Sequence, residues 1–191
     1  MKVILASTSP RRQELLKLIV EDFEIASPKF DEDSIKVNNP KKLVEKLSCG
    51  KASAVFDKAV GDWCVIGADT IVVDGKEVLG KPKSKEDAKN MLRKLSGAKH
   101  DILTGVCVLI RRGEVESKLS FVEKTTVKMI KLCDEEIDEY IATGEPLDKA
   151  GSYAIQGKGG KFFECVSGNY HNIVGLPVCK LYKVLKEEGV L

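Results

Sequence analysis

Residues Ser7-Thr8-Ser9-Pro10-Arg11-Arg12 follow the apolar run Val3-Ile4-Leu5-Ala6 and carry the first chemistry in the chain. Ser9 suits a helix N-cap, and Pro10 suits the first helical position, where a missing N–H costs nothing. Arg11 and Arg12 then fill the next two positions. These usually favour acids, because a helix start carries partial positive charge and unpaired N–H groups; a cation there costs roughly 0.3–1 kcal/mol. An external anion such as phosphate would reverse that cost. Two other helix starts obey the ordinary rule, with Glu86 and Asp87 after Ser84, and Glu135 and Glu136 after Asp134. The start at Asn39-Pro40 carries Lys41 and Lys42 instead, so a solvated basic turn is the competing reading of Arg11 and Arg12.

Asp69 is the second chemical signal. It stands within Val65-Ile66-Gly67-Ala68-Asp69-Thr70-Ile71-Val72-Val73, where strand alternation puts it on the face of Val65, Gly67, Ile71 and Val73. A carboxylate on an apolar strand face is costly unless a cation, a metal or hydrogen bonds compensate it. Gly67 leaves open space beside it on this reading; a strand that ends at Asp69 and lets it reach water is the alternative. The Asp74-Gly75 hairpin signal brings Lys81 within a residue of Asp69. A two-residue loop sets Asp69 opposite Gly80, and a three-residue loop sets it opposite Lys81. Pro82 stiffens the backbone beside that lysine. Lys51 lies in the small-residue run Cys49-Gly50-Lys51-Ala52-Ser53-Ala54, which allows close approach. Glu32, between Asp31 and Asp33, reads as a solvated acidic turn or as an oxygen ligand for Mg²⁺. Gln156-Gly157-Lys158-Gly159-Gly160 reads as a flexible turn without the spacing of a phosphate-binding loop.

These residues must be carried by interleaved strands and helices. The pattern predicts strands at 3–6, 23–26, 65–73 and 77–79, and longer β-branched runs at 101–111 and 117–132 around a turn at Gly113. Short strands are expected near 153–155 and 162–166. Helices are expected at 10–20, 40–60, 84–95 and 134–143, with a last one after Pro177. Hairpins mixed with crossover helices imply a mixed sheet with helices packed on it.

At 191 residues with 43% hydrophobic and 31% charged content, the chain suits one soluble domain, or one domain with a lobe. The net charge of +2 gives no global field for nucleic acid or an anionic membrane, so neither is an expected partner. Four apolar residues at the start are too few for a signal-peptide core, and no run reaches membrane-spanning length. The six cysteines form no C-x-x-C pair and lie mostly in apolar segments, so buried free thiols in a reducing cytoplasm are expected. With only His100 and His171, a histidine-rich zinc site is not.

Taken in order, these segments resemble the Maf family of nucleotide pyrophosphatases. The matching pieces are Leu5 to Arg12, Gly67-Ala68-Asp69-Thr70, Gly80-Lys81-Pro82, Leu95-Ser96-Gly97 with His100, and Thr104-Gly105-Val106. They continue with Gly144 to Gly151, Ile155-Gln156-Gly157, Gly168-Asn169-Tyr170 and Val174-Gly175-Leu176-Pro177. The resemblance covers essentially the whole chain, 1–191, as one domain. It implies an elongated, two-lobed α/β fold with a cleft and a strongly twisted mixed sheet, similar to inosine triphosphate pyrophosphatases, often as a homodimer. The implied reaction is hydrolysis of a nucleoside triphosphate to monophosphate and pyrophosphate with Mg²⁺ or Mn²⁺. Ser7, Arg11, Arg12, Lys51 and Lys81 resemble the phosphate and substrate contacts. Glu32, Asp69 and Gln156 resemble the metal- and water-handling group, with Asp69 as proton acceptor. Thr70 resembles the branch acting on dTTP, UTP and often CTP, where a glutamine marks the branch for 7-methyl-GTP. Two other readings are a nucleotide-binding regulator of cell division (septum formation) without turnover, and a house-cleaning pyrophosphatase for other modified nucleotides.

Overall fold

A computed structural model describes residues 1–191. Seven strands and six α-helices follow one another along the chain. The strands are β1 (Lys2–Ala6), β2 (Glu24–Ile25), β3 (Trp63–Asp74), β4 (Glu77–Leu79), β5 (Lys99–Arg112), β6 (Val115–Met129) and β7 (Phe163–Ser167). The helices are α1 (Pro10–Leu16), α2 (Pro40–Phe56), α3 (Lys85–Leu95), α4 (Asp134–Ala142), α5 (Tyr170–Val174) and α6 (Val178–Glu187). The sheet runs β2-β1-β3-β5-β6-β7, with β4 paired to β3. β1 is parallel to both β2 and β3, whereas β3–β4 and β6–β7 are antiparallel. The expected mixed α/β sheet is therefore present. Parallel β1 is buried from Val3 to Ala6, which explains its unbroken apolar run.

The chain divides into two compact units: residues 1–69, 104–123 and 175–191, and residues 70–103 and 124–174. The first is centred on Ile4, Ala6, Ala52, Val55, Phe56, Val65, Cys107 and Leu109, with Trp63 packed against them. α2 opens as expected, Asn39 accepting from the Lys42 N–H at 3.1 Å and Pro40 standing first in the helix. The second unit is centred on Val72, Leu92, Leu95, Ile102, Met129, Ile137, Tyr140 and Phe162. Its α3 is capped by Ser84, which accepts from the Asp87 N–H at 3.1 Å. Arg93 grips Asp134 through two bonds of 2.9 and 2.6 Å, tying α3 to α4.

Several expectations are corrected. α1 stops at Leu16 and α2 at Phe56, each about four residues early. Residues 153–155 form no strand: the Ala154 N–H donates to the Tyr140 hydroxyl at 3.0 Å in place of a ladder. α5 was not anticipated. The β3–β4 turn is Gly75-Lys76, with Asp74 paired to Glu77, because Gly75 takes φ +60°. The ladder closes at Val72–Leu79, so neither anticipated register sets Lys81 or Gly80 opposite Asp69. Of the six free cysteines only Cys64 and Cys107 are buried; Cys133, Cys165 and Cys179 are exposed. No helix is long and apolar enough to cross a membrane.

His100, in β5 within the second unit, gives this fold a pH sensitivity. The ring is 2% exposed, its Nε2 is 2.9 Å from the Tyr153 hydroxyl, and Nδ1 has no partner. Burial pushes its pKa down from 6.5 to about 4 against the opposing pull of Asp74 and Asp101. The folded state therefore holds a neutral imidazole, while the unfolded chain takes up a proton below about pH 6.5. Stability is lost as pH falls from about 6.5 to about 4 and is level, for this group, on either side. The loss is about 3 kcal/mol. Urea unfolding at pH 7 and pH 4 checks it: His100→Gln should lose about 3 kcal/mol less between the two than the parent chain. Equal losses would exclude His100 as the source.

Candidate active site

The first unit holds six of the expected site residues: Ser7, Arg11, Arg12, Glu32, Lys51 and Asp69. The parallel β1–β3 ladder ends with Ala6 opposite Gly67, so the chain leaves β1 through Ser7 beside the part of β3 that bears Asp69. In open α/β sheets, ligands bind outside the carboxyl ends of parallel strands, and the Ser7 turn leaves such an end. Asp69 lies in an unbroken strand and is buried, so the alternative of a strand ending there is excluded.

Its compensation is a lysine. Lys51 Nζ donates to Asp69 Oδ1 at 2.5 Å and lies 3.0 Å from Glu32 Oε1. Two carboxylates thus converge on one ammonium. The Lys51 and Asp69 side chains are each 10% exposed, whereas Glu32 is 56% exposed. A buried pair of this kind is costly to break from one side, by about 3–5 kcal/mol.

Close backbone approach sets this geometry. A Cβ added to Gly67 would lie 2.4 Å from the Ser48 carbonyl and 2.7 Å from the Ala52 nitrogen. One added to Gly105 would lie 2.4 Å from the Val44 carbonyl. The two glycines let α2 lie directly on β3 and β5, which carries Lys51 to Asp69. The space anticipated beside Gly67 is therefore filled by helix backbone. Gly50 does a matching job on the outer side: a Cβ there would sit 2.2 Å from the Phe30 ring. Phe30 thus docks one residue before Lys51, and the following turn, Glu32–Ser34 in 3-10 form with Asp31 accepting from the Asp33 N–H, delivers Glu32. Sequence reasoning missed Phe30; the signal was a lone aromatic in a polar loop paired with a glycine inside a helix.

Arg11 and Arg12 follow Pro10 in the first turn of α1, with no acid among them. Arg12 is held in place. Its Nε donates to the Gly175 carbonyl at 2.9 Å and its Nη1 to Ser7 Oγ at 3.3 Å. Burial lowers its pKa, Asp69 and Glu32 oppose that, and neighbouring Arg11 adds to it. The guanidinium thus lies within the field of both carboxylates. α1 is only seven residues long and Ser9 makes no side-chain cap, so fixed cations rather than a long helix dipole dominate here.

Thr70, Lys81 and Gln156 belong to the second unit. Thr70 is half-buried; Lys81 and Gln156 are exposed. The turn after Gln156 is not a flexible one. Added Cβ atoms at Gly157 and Gly159 would meet the Glu145 carboxylate at 2.4 Å and the Tyr140 hydroxyl at 2.5 Å. These glycines serve close packing.

A sequence profile described as Maf-like protein matches residues 2–188. A dTTP/UTP pyrophosphatase of Clostridium novyi (strain NT) is 48% identical over 191 residues, spanning 100% of this chain and 99% of that protein. One of Bacillus cereus (strain B4264) is 45% identical, spanning 97% and 95%. Among solved structures, the Staphylococcus aureus Ham1 protein superposes with a TM-score of 0.52 at 14% identity, covering 98% of this chain and 100% of that one, a likeness of fold. A match across nearly every residue, with relatives this similar over their full length, makes the chain a member of the Maf-like protein family.

Proposed function

We propose that this chain hydrolyses pyrimidine nucleoside triphosphates, dTTP and UTP foremost, to the monophosphate and pyrophosphate. The observation that carries the reading is the convergence of Glu32 and Asp69 on buried Lys51, within the field of the fixed Arg12 guanidinium. The names of the Clostridium and Bacillus relatives support the substrate class.

A triphosphate brings about four negative charges at neutral pH, and a preorganised set of cations stabilises what develops on the leaving group. Arg11, Arg12, Lys51 and Lys81 grip phosphate oxygens, and the Ser7 hydroxyl adds a hydrogen bond. Lys51 exchanges its contact with Asp69 for the polyanion, which frees Asp69 to take a proton from the attacking water. That water attacks the α-phosphorus in line, the bond from the α-phosphorus to the bridging oxygen breaks, and pyrophosphate departs. Thr70 contacts the substrate and takes part in base choice, and Gln156 contacts the substrate. The donor set fits a divalent cation: two carboxylates of hard oxygen are what Mg²⁺ takes alongside substrate phosphates. Glu32 and Asp69 would hold it, and Mg²⁺ or Mn²⁺ bound there would neutralise phosphate charge.

The test is a panel of pyrimidine and purine triphosphates with Mg²⁺ or Mn²⁺, read by separate assays for pyrophosphate and orthophosphate. Pyrophosphate from UTP and dTTP is the expected result. Orthophosphate in its place would overturn the bond assignment, fastest release from a purine would overturn the base preference, and thermal stabilisation by nucleotide without turnover would overturn the enzyme.

A further inference from the structure

We propose that Glu145 and Tyr140 act as positioning residues for Gln156, holding its loop as a rigid platform for the substrate; this rests on the reading of Gln156 as a substrate contact. The Glu145 carboxylate is spent entirely on backbone and one phenol. Oε1 accepts from the Tyr140 hydroxyl at 2.7 Å and from the Gly159 N–H at 3.1 Å, and Oε2 accepts from the Lys158 N–H at 3.0 Å. The Tyr140 oxygen in turn accepts from the Ala154 N–H at 3.0 Å. Both ends of the segment 154–159 are thus fastened to one carboxylate–phenol pair, with Gln156 between them.

The carboxylate is ionised. Partial burial raises its pKa, but the Tyr140 hydroxyl, the two N–H groups and Lys149 outweigh that and bring it below the usual value. Hydrogen bonds to a charged acceptor are shorter and stronger than those between neutral groups. The glycines at 157 and 159 leave no room for a Cβ against this pair, so the loop is pressed onto it as well as bonded. Tyr140 is anchored from behind, its ring packed edge-on to Phe162 at 5.2 Å between centroids. What this network fixes is the backbone on either side of Gln156.

Glu145→Gln keeps the shape but turns one acceptor into an N–H₂ that cannot receive the Lys158 N–H. Lys158→Pro removes the donor instead, at the first position of the 3-10 turn Lys158–Phe162, where proline is tolerated. Each variant should raise the KM for UTP about tenfold with kcat within about threefold, and speed hydrogen exchange at the Gly159 amide. Gln156→Ala should raise the KM by itself, and Glu145→Gln added to it should change KM by less than about twofold, since the two act through one contact. Full additivity, or an unchanged KM in both Glu145→Gln and Lys158→Pro, would overturn the positioning role. An unchanged KM in Gln156→Ala alone would overturn the substrate role of Gln156, and the inference with it.

Discussion

Asp69→Asn is expected to abolish pyrophosphate release, a fall of about 10³-fold or more, while nucleotide binding survives. Asn matches Asp in shape and can still accept the Lys51 ammonium, but it cannot take a proton from water. Loss of a positioned general base removes about 10²–10⁴-fold, and Asp69 is the buried member of the two carboxylates on Lys51. Some stability should go too, because buried Lys51 then has only the exposed Glu32 as a full counter-charge. The melting temperature is therefore measured alongside the rate, so that lost fold is not read as lost chemistry. Triphosphate at 100 times its Kd should still stabilise the variant by about 2.7 kcal/mol, roughly 5–10 °C for a chain of this length. A folded Asp69→Asn protein within tenfold of the parent rate would remove Asp69 as the base.

The chain was legible where local chemistry decides the outcome. Ser84, Asn39 and Pro40 announce helix starts that the structure keeps, because a cap is a contact between near neighbours. Helix ends were less legible. Leu18 extends the apolar period of α1, yet it is 63% exposed and the helix has already given way to turns. The Gly75 turn shows a finer limit: the dipeptide Asp74-Gly75 signals a hairpin, but the need for positive φ at its first residue moves the turn one residue along the chain, so Val73 pairs with Val78 and not with Lys76. The resulting Asp74–Glu77 pair of like charges is tolerated because Lys94 of α3 lies against both, which no local pattern could show.

The site was legible as a set of residue types and not as an arrangement. Asp69 was marked by an acid in an apolar strand, Lys51 by its small neighbours and Glu32 by flanking acids. Their convergence depends on long-range contacts: Phe30 on Gly50, α2 on Gly67 and Gly105, Arg12 on the Gly175 carbonyl. Glycines at 67, 157 and 159 carried the most misread signal. Each suggested space or freedom, and each is in fact a place where another group presses against the backbone.

Gly67→Ala is expected to lower the melting temperature by about 6–12 °C and to cut turnover at 25 °C by tenfold or more. The new Cβ would stand 2.4 Å from the Ser48 carbonyl oxygen, 2.7 Å from the Ala52 nitrogen and 2.8 Å from its Cβ. These are atoms of a helix, not the far end of a flexible side chain, so α2 itself must shift. Overpacking of that kind costs about 3 kcal/mol, and each kcal/mol moves the melting point of a chain this size by about 2–4 °C. Lys51 lies between Ser48 and Ala52 and must travel with them, away from Asp69. A displacement near 1 Å in a reacting group costs up to about 10²-fold, so the rate should fall even where the variant is fully folded. Gly80→Ala separates this from a general intolerance of added bulk: a Cβ there meets nothing within 4 Å, and its melting point should stay within about 2 °C of the parent. If Gly67→Ala melted and turned over like Gly80→Ala, the contact between α2 and β3 could not be what holds Lys51 on Asp69.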